Sequence, residues 1–281
     1  MKISVIIPVY NKRELLQHNL YCLIHQSMLP DELVISDDGS TEDIPELVHD
    51  MKNDMPFSVK YIHQDDQGFR AARCRNNGVR AATGDLLMFL DQDIVYTKNL
   101  LKLFADNLRQ GEFLVAYPVR LSQQQTSQLT EEMLREGNFN ALLTPEQKKK
   151  IISQYKDEKR HRFLFKLKLR PFGPKLRSIA FAVYRNDFEK VNGFDENFRG
   201  WGNEDDDLGR RFHRAGIIGR NIFYDEYPVH QYHQPHHQNG ERVNRSYNRK
   251  RKREIRAGDY RCPNGLENPA DQDASPVMEI K

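Results

Sequence analysis

Apolar runs alternate with helical segments over the first hundred residues. Stretches typical of buried strands are ISVIIPV, ELVISDD, VKYIHQ and DLLMFLDQD. Helices are predicted between them, over residues 12–26, 44–51 and 68–82. Strands and helices that alternate with short connections predict an α/β fold with a doubly wound, mainly parallel sheet.

The pattern is less regular after residue 118. The later predicted elements are a strand over 113–121, a polar helical stretch over 122–154, a basic segment over 163–177, a strand over 179–185, a helix over 204–216, and a strand with a histidine-bearing loop over 217–234. Signals for a core fade after residue 239. The polar and basic stretches therefore predict a helical insertion in the α/β domain.

Composition narrows the class of protein only slightly. The 281 residues carry a net charge of +3 and include 38% hydrophobic residues, enough for a buried core. The three cysteines form no C-x-x-C pair, which argues against a disulfide framework or a zinc site and favours a reducing compartment. The apolar N-terminal run is too short for a signal peptide or a membrane span, so we expect a cytoplasmic protein.

Several aspartates follow the predicted parallel strands at their carboxyl ends, where ligands bind in such sheets. Asp91 and Asp93 end the fourth strand and can project to the same side. Paired carboxylates are hard ligands for Mg²⁺ or Mn²⁺, although two aspartates that cap a turn are the alternative. Asp38 can accept from a nucleobase or a ribose hydroxyl, or it can close an Asx-turn with Gly39.

Four acidic residues, Glu204 to Asp207, open the helix predicted over 204–216. The helix dipole favours one or two of them, by about 0.3–1 kcal/mol each. The others repel one another, so we expect a further task, such as hydrogen bonds to sugar hydroxyls or general base catalysis. Trp201, the only tryptophan, lies three residues upstream and suits the apolar face of a sugar ring, with a core position as the alternative.

Four histidines lie in one segment, VHQYHQPHH: His230, His233, His236 and His237. A neutral imidazole can complete a coordination sphere begun by Asp93. The spacing matches no zinc signature, and a solvated loop is the alternative.

In this order, the motifs resemble those of the family-2 glycosyltransferases with the GT-A fold. The matching segments are SVIIPVYN, ISDDGST, DQGFRAARCRNNGVRAATGDLLMFLDQD, VNGFDENFRGWGNEDDDLGRRFHRAG and VHQYHQPHH. The second half resembles the galactosyltransferase-type C-terminal region, also found in bacterial chondroitin-polymerase-like enzymes. The resemblance covers 1–118 and 178–238, and the residues between them match no part of the pattern.

The resemblance implies a role for each matching residue. Residues that bind a UDP-sugar would be Pro8, Tyr10, Asp38, Asp66, Arg70, Asp91 and Trp201. Metal ligands would be Asp93 of the D-x-D motif, His233 and Asp91, with His230 as the alternative histidine. Catalytic residues would be Asp205, as general base, and Glu204.

We therefore expect an inverting glycosyltransferase that uses Mn²⁺ or Mg²⁺. It would move a hexose or N-acetylhexosamine from a UDP-sugar to a saccharide or lipid-linked saccharide, in surface polysaccharide or glycan synthesis. Its domain would cover 1–240, divided into a nucleotide-binding half (1–118), a helical and basic insertion (119–177) and an acceptor-binding half (178–240).

Two other functions are alternatives. A sugar nucleotidyltransferase also uses a doubly wound sheet with paired aspartates, but the segment IPVYNKREL lacks the glycine-rich phosphate loop of that class. A non-catalytic carbohydrate-binding module is the other alternative, and the intact acidic residues at 91, 93, 204 and 205 argue against a decayed site.

Residues 241–281 are predicted to form a basic, partly mobile C-terminal tail. Its run NRKRKREIR is either a solvated segment or a surface attracted to anionic lipid headgroups, worth about 1 kcal/mol per residue. The second alternative suits a lipid-linked acceptor and peripheral contact with the inner face of a membrane. The segment has few interleaved aromatic residues, so nucleic-acid binding is not expected.

Overall fold

The computed structural model describes residues 1–234, 243–272 and 275–281. The strands are β1 (Ile3–Val9), β2 (Glu32–Asp37), β3 (Ser58–His63), β4 (Leu86–Leu90), β5 (Ile94–Tyr96), β6 (Glu112–Val115), β7 (Val119–Arg120), β8 (Ala180–Tyr184), β9 (Ile218–Arg220), β10 (Pro228–His230) and β11 (Val277–Glu279). The helices are α1 (Arg13–Ile24), α2 (Ile44–Met51), α3 (Ala71–Ala81), α4 (Leu100–Asn107), α5 (Gln123–Thr126), α6 (Glu131–Glu136), α7 (Pro145–Lys166), α8 (Arg185–Lys190), α9 (Glu204–Arg214) and α10 (Arg245–Ala257). Within these described ranges, no helix is long and apolar enough to cross a bilayer.

An eight-stranded sheet forms the centre of the fold, in the order β11-β3-β2-β1-β4-β8-β6-β9. β3, β2, β1 and β4 are parallel neighbours, whereas β8 runs antiparallel to both β4 and β6. A second sheet of three short strands has the order β5-β10-β7. The doubly wound, mainly parallel α/β fold predicted from the sequence is confirmed.

The central strands are apolar on both faces because helices cover each side of the sheet. Val5 and Ile7 of β1 pack in the layer that contains α1 and α2, and Ile6 packs in the opposite layer with α3, α8 and α9. In that second layer the rings of Phe89 and Phe181 stack, with their centroids 4.4 Å apart. Because β1 to β4 run parallel to one another in this packed sheet, their carboxyl ends share one edge.

Two predicted strands are each divided between the two sheets. Residues 113–121 supply β6 and β7, and Pro118 between them has no N–H with which to continue a ladder. Residues 217–234 supply β9 and β10 in the same way. β5, directly after Asp93, escapes prediction because three residues are too few to show periodicity. α7 extends as far as Lys166, into the predicted basic segment.

The C-terminal residues that the structure describes pack against the body of the molecule. α10 contacts α9 and buries Asn248, Arg251 and Ile255. β11 pairs antiparallel with β3 and extends the sheet. The sequence predicts a partly mobile tail here, whereas the described parts form a helix and an edge strand, because α10 has one face that can be buried. The division of the chain at residues 118, 177 and 240 stays a prediction.

Candidate active site

The loop after β1 lies beside the segment that follows β4. Gln92 Oε1 accepts a hydrogen bond from Tyr10 N at 2.8 Å, and Gln92 Nε2 donates to the Asn11 carbonyl at 3.1 Å. Asn11 and Lys12 have left-handed backbone angles, with φ of 53° and 57°, in the tight turn from β1 into α1. The predicted donor-binding residues Pro8 and Tyr10 thus lie next to the D-x-D motif.

The two aspartates after β2 have different surroundings. Asp37 closes an Asx-turn, because its Oδ1 accepts from Gly39 N at 3.0 Å and from Ser40 N at 2.7 Å. Asp38 is buried and accepts from Arg70 N at 2.8 Å. Burial raises the pKa of Asp38 to about 6, against the opposing effect of its hydrogen bonds. The Asx-turn that the sequence analysis considers for Asp38 is therefore formed by the preceding residue, Asp37.

Asp66 and Arg70 lie in the loop between β3 and α3. Asp66 accepts a hydrogen bond from Tyr10 OH at 3.0 Å, and this contact raises the pKa of Tyr10. The Arg70 guanidinium is buried, donates to the Asp65 carbonyl and pairs with Asp271 at 3.3 Å. Arg70 therefore joins this loop to the C-terminal segment, and its contact with a donor stays a prediction.

Asp93, His230 and His233 form a cluster just after β4. His233 Nε2 lies 2.8 Å from Asp93 Oδ2, and His230 Nε2 lies 3.4 Å from the same oxygen. The potential ligand atoms of the three residues lie within 4.8 Å of one another. Asp93 Oδ1 is buried and has no hydrogen-bond partner among the described residues. The other two histidines of the predicted motif, His236 and His237, lie outside the described residues.

Hydrogen bonds hold this cluster in place. Gln231 N donates to the Asp93 carbonyl at 3.0 Å, and Lys12 Nζ lies 2.7 Å from His233 Nδ1. A contact on Nδ1 orients the ring and directs its Nε2 towards Asp93. The hydrogen bond with Asp93 raises the pKa of His233, whereas burial lowers the pKa of His230.

A buried arginine that the sequence analysis does not single out joins the two acidic motifs. Arg75 Nη2 donates to Asp91 Oδ1 at 2.8 Å, and its Nη1 lies 3.7 Å from Glu204 Oε1. The guanidinium also lies 5.4 Å from the centroid of the Phe194 ring. In the described part of the chain, Arg75 Nε and Nη1 and Glu204 Oε2 have no hydrogen-bond partner. The Arg75 ion pairs therefore leave polar atoms available to a bound molecule.

The contacts of Arg75 bring the D-x-D motif and the start of α9 into one site, and the carboxyl groups there influence one another's pKa. Burial raises the pKa of Glu204 to about 7 and the pKa of Asp91 to about 6, and the charge of Asp205 adds to both effects. Arg75 opposes both shifts. Asp93 differs, because its histidine contacts outweigh burial and lower its pKa. Residues more than a hundred positions apart are thus brought together.

Asp205 lies between the protein interior and a group of cations. Its Oδ1 accepts from Asp206 N at 2.7 Å, and it accepts a further hydrogen bond from Ser178 N. Burial raises the pKa of Asp205, and the charges of Lys175, Arg75 and Arg177 partly oppose that rise. Lys175 and Arg177 belong to the predicted basic segment, for which the sequence supplies no specific role.

The last two acidic residues of the run have other partners. Asp206 pairs with Lys175 Nζ at 2.7 Å. Asp207 is fully buried and accepts from Arg211 Nε at 2.6 Å, with Arg251 Nε at 3.8 Å from its other oxygen. Asp207 therefore fixes α9 to α10, which leaves Glu204 and Asp205 as the acidic residues that face the site.

Trp201 lies on the surface just before α9. Its relative exposure is 61%, which excludes the core position considered from the sequence. Gly200, Gly202 and Asn203 have positive φ angles of 77°, 91° and 81°, so the chain turns tightly on both sides of Trp201. The turn leaves the indole exposed beside the first turn of α9.

A mainly parallel sheet with a D-x-D motif at its carboxyl edge, facing an acidic helix N-terminus, defines the class of GT-A glycosyltransferases. The family model for glycosyl transferase family 2 matches residues 4–185, and the model for the N-terminal domain of galactosyltransferase matches residues 158–237. The chain belongs to glycosyl transferase family 2.

Curated relatives are longer than this chain. The validoxylamine A glucosyltransferase of Streptomyces hygroscopicus subsp. limoneus is 32% identical over 76% of this chain and 48% of its own length. The chondroitin synthase of Escherichia coli is 29% identical over 78% of this chain and 33% of its own length. The chain thus spans about half the length of the curated relatives it matches, or less.

Solved structures with the same fold include complexes with nucleotides. S. aureus TarS 1-349 in complex with UDP-GlcNAc has a TM-score of 0.58 at 18% identity, over 95% of this chain and 69% of that chain. GalNAc-T7 with UDP, GalNAc and Mn²⁺ has a TM-score of 0.57 at 17% identity, over 86% of this chain and 45% of that chain. At these identities the likeness establishes the fold alone.

Proposed function

We propose that this chain is an inverting, metal-dependent glycosyltransferase. It moves a hexose or an N-acetylhexosamine from a UDP-sugar to a hydroxyl of a saccharide or lipid-linked saccharide. The observation that carries the proposal is that one arginine joins the two acidic motifs: Arg75 donates to Asp91 at 2.8 Å and lies 3.7 Å from Glu204. The name of one relative, a chondroitin synthase, supports polysaccharide or glycan synthesis as the setting.

The UDP part of the donor would lie along the carboxyl edge of β1 to β3. Pro8 and Tyr10 border this edge, and Asp38, with its raised pKa, would accept from the uracil or a ribose hydroxyl. Asp66 would act together with Tyr10, to which it is hydrogen-bonded at 3.0 Å, while Arg70 would hold their loop in place. UDP complexes of two proteins of the same fold support this donor class.

A divalent cation would be held by Asp93 and His233, with Asp91 or His230 completing the set. The residues fit such an ion because Asp93 Oδ1 is buried without a protein partner in the described chain, and two imidazole nitrogens lie beside the other oxygen of the same carboxylate, Oδ2. Mixed nitrogen and oxygen ligands favour Mn²⁺ over Mg²⁺, which prefers oxygen ligands. When bound, such an ion neutralises negative charge on a diphosphate leaving group.

Asp205 would act as the general base. The N-terminus of α9 favours its anionic form, and burial raises its pKa, which makes it a stronger base than an exposed aspartate. The acceptor hydroxyl donates its proton to the Asp205 carboxylate while its oxygen forms a bond to the anomeric carbon. The bond from that carbon to the diphosphate breaks on the opposite face, UDP leaves with the electron pair, and the anomeric centre is inverted.

Glu204, Asp91 and Trp201 would position the sugars. With a pKa of about 7, Glu204 can donate or accept a hydrogen bond at neutral pH, which suits a sugar hydroxyl. Arg75 holds Asp91 at 2.8 Å and so fixes the D-x-D backbone against α3. The exposed indole of Trp201 would cover the apolar face of a sugar ring.

Asp205→Asn tests the assignment of the base. The amide keeps the shape of the side chain but accepts no proton, so we expect turnover to fall by about 10²–10⁴-fold. Turnover is measured as UDP released from UDP-sugars in the presence of an acceptor panel, and UDP affinity in Mn²⁺, measured by calorimetry, is expected to stay close to that of the wild type. Asp54→Asn, in an exposed turn before β3, is the matched control and keeps its turnover. Wild-type turnover by Asp205→Asn would refute the assignment.

A cytoplasmic location with peripheral contact to an anionic membrane surface is part of this proposal. Arg245 and Lys250 on α10 are exposed and available to lipid headgroups. Neutralising both, as Arg245→Gln with Lys250→Gln, is expected to weaken co-sedimentation with phosphatidylserine vesicles roughly 30-fold, from about 1 kcal/mol per residue. Equal binding of the variant and the wild type would count against membrane contact through α10.

A further inference from the structure

A patch of positive charge borders the site on the side of Asp205. It joins three elements, the segment before β8, α9 and α10, and we call Lys175, Arg210, Arg249, Lys252 and Arg256 the cationic patch. The three residues on α10 are three and four positions apart and so share one face of that helix. Arg210 Nη1 donates to Asn248 Oδ1 at 3.3 Å, which links α9 to the same side of α10.

The cationic patch carries more charge than the described residues neutralise. Its ion pairs run to Asp206, with Lys175 Nζ at 2.7 Å and Arg210 Nη2 at 3.5 Å. Within the described part of the chain, the three patch residues of α10 take part in no ion pair, in contrast to Lys250, which pairs with Glu254 at 3.7 Å. Burial and the neighbouring cations of the patch lower the pKa of Lys252. The unliganded protein therefore holds mutually repelling cations at this position.

The cationic patch begins where the acceptor would enter. Of the cations that oppose the rise in the pKa of Asp205, Lys175 has the largest effect, ahead of Arg75 and Arg177. The Lys175 side chain is 56% exposed, so a bound molecule can reach it from solvent. From Lys175 the cationic patch continues to Arg210, which shares Asp206 with Lys175, and to Lys252, on whose pKa the charges of both residues act.

We propose that the acceptor carries an anionic group, a carboxylate or a phosphate, next to its reacting sugar, and that Lys175, Arg210 and Lys252 bind this group. The inference rests on the proposed function and deepens it by naming the acceptor class. A neutral acceptor leaves the cationic patch uncompensated, whereas an anion forms charge-assisted hydrogen bonds with it. The patch therefore selects acceptors by charge, separately from the sugar hydroxyls that face Glu204.

Two pairs of probes test the proposal and separate its two chemical sources. Methyl β-glucuronide against methyl β-glucoside tests a carboxylate on the sugar, and octyl diphosphate-linked N-acetylglucosamine against octyl N-acetylglucosaminide tests the phosphate of a carrier. Binding is followed by the fluorescence of Trp201, the only tryptophan in the chain, with UDP and Mg²⁺ present. We expect the anionic member of one pair to bind about ten-fold more tightly, with a difference that shrinks as salt is added.

Variants separate the cationic patch from general surface charge. Lys252→Gln is expected to weaken the anionic probe about five-fold and to leave the neutral probe unchanged, and Arg210→Gln is expected to do the same. Arg253→Gln, the next residue on the exposed side of α10, is the matched control and keeps the affinity for both probes. Equal affinity for both members of both pairs, or an equal loss in Lys252→Gln and Arg253→Gln, would overturn the inference.

UDP binding and slow hydrolysis of the donor, measured on the same samples, report on the proposed function itself. If both are present and no anionic preference is found, the acceptor inference alone is rejected. If the wild type binds no UDP, the proposed function is rejected, and the inference with it.

Discussion

Replacement of Glu204 by glutamine is expected to stabilise the unliganded protein at pH 8 and to change its stability little at pH 5. Burial and the charge of Asp205 raise the pKa of Glu204 from 4.5 to about 7. The folded protein thus binds this proton more tightly than the unfolded chain does. Glu204 therefore contributes stability below about pH 4.5, and that contribution is lost as the pH rises towards 7.

The free energy lost over this pH range is about 3 kcal/mol, from about 1.4 kcal/mol for each pKa unit. The Glu204 side chain is only 10% exposed, so screening by solvent reduces this figure little. Glutamine keeps the shape of the side chain but carries no charge, so the variant avoids the loss. For a chain of this size the gain at pH 8 corresponds to a melting temperature higher by about 6 °C.

Thermal and urea unfolding at pH 5 and pH 8 measure the effect, with EDTA present and nucleotide absent. Glu132→Gln, exposed on α6, is the control and is expected to melt with the wild type at both pH values. If the melting temperature of Glu204→Gln is shifted equally at both pH values, or is lowered at pH 8, the raised pKa of Glu204 is refuted. The ionised carboxylate would then not be destabilised by burial and by the charge of Asp205. The transfer activity of Glu204→Gln is expected to fall, because the variant lacks the carboxylate that we propose as a contact for a sugar hydroxyl.

Three further predictions concern the metal and the packing of α10. Excess EDTA is expected to abolish transfer and weaken donor binding, and full transfer in EDTA would remove the metal from the proposal. His233→Ala is expected to weaken Mn²⁺ binding, followed by electron paramagnetic resonance, at least ten-fold, and an unchanged affinity would leave the histidine a structural role. Arg251→Met removes the cation 3.5 Å from Asp195 and 3.8 Å from Asp207, and it is expected to lower the free energy of unfolding by about 3–5 kcal/mol. Urea unfolding measures the change, with exposed Arg253→Met as the control. An equal effect of the two substitutions would contradict the buried network.

The central sheet and its acidic edge follow from the sequence because they depend on local pattern. Continuous apolar runs mark strands that are buried on both faces, and parallel strands place whatever follows them at one edge. This reasoning brings Asp38, Asp66 and Asp93 to one side of the sheet without knowledge of any long-range contact. The acidic run at the start of α9 is equally visible, because repulsion among neighbours is a property of the sequence itself.

The basic residues that pair with these acidic residues cannot be predicted from local sequence pattern. Arg75 lies on α3 among other arginines, in the segment ARCRNNGVRA, and both Arg73 and Arg75 are buried. No periodicity distinguishes the arginine that reaches Asp91 from its neighbours, because the distinction depends on how α3 meets α9. Lys12 and Lys175 likewise acquire their contacts from chain segments far away in the sequence.

The small second sheet and the packing of α10 escape sequence-based prediction for another reason. β5, β7 and β10 have two or three residues each, and they form a sheet only because the larger sheet brings them together. The run NRKRKREIR looks solvated because its charged residues outnumber its apolar ones. Its buried face consists of Asn248, Arg251 and Ile255, and burial of Arg251 depends on Asp195 and Asp207, which no local pattern reveals.

The pairing of β11 with β3 also has a consequence for folding during synthesis on the ribosome. A ribosome that adds roughly 5–20 residues per second needs on the order of 10–40 s to travel from His63 to Val277. Throughout that interval the outer side of β3 presents unsatisfied amides, the kind of template on which a second nascent chain can anneal. Premature termination anywhere in between leaves a product whose sheet is open at this margin, and such fragments are expected to aggregate or to bind chaperones more readily than a chain that includes β11.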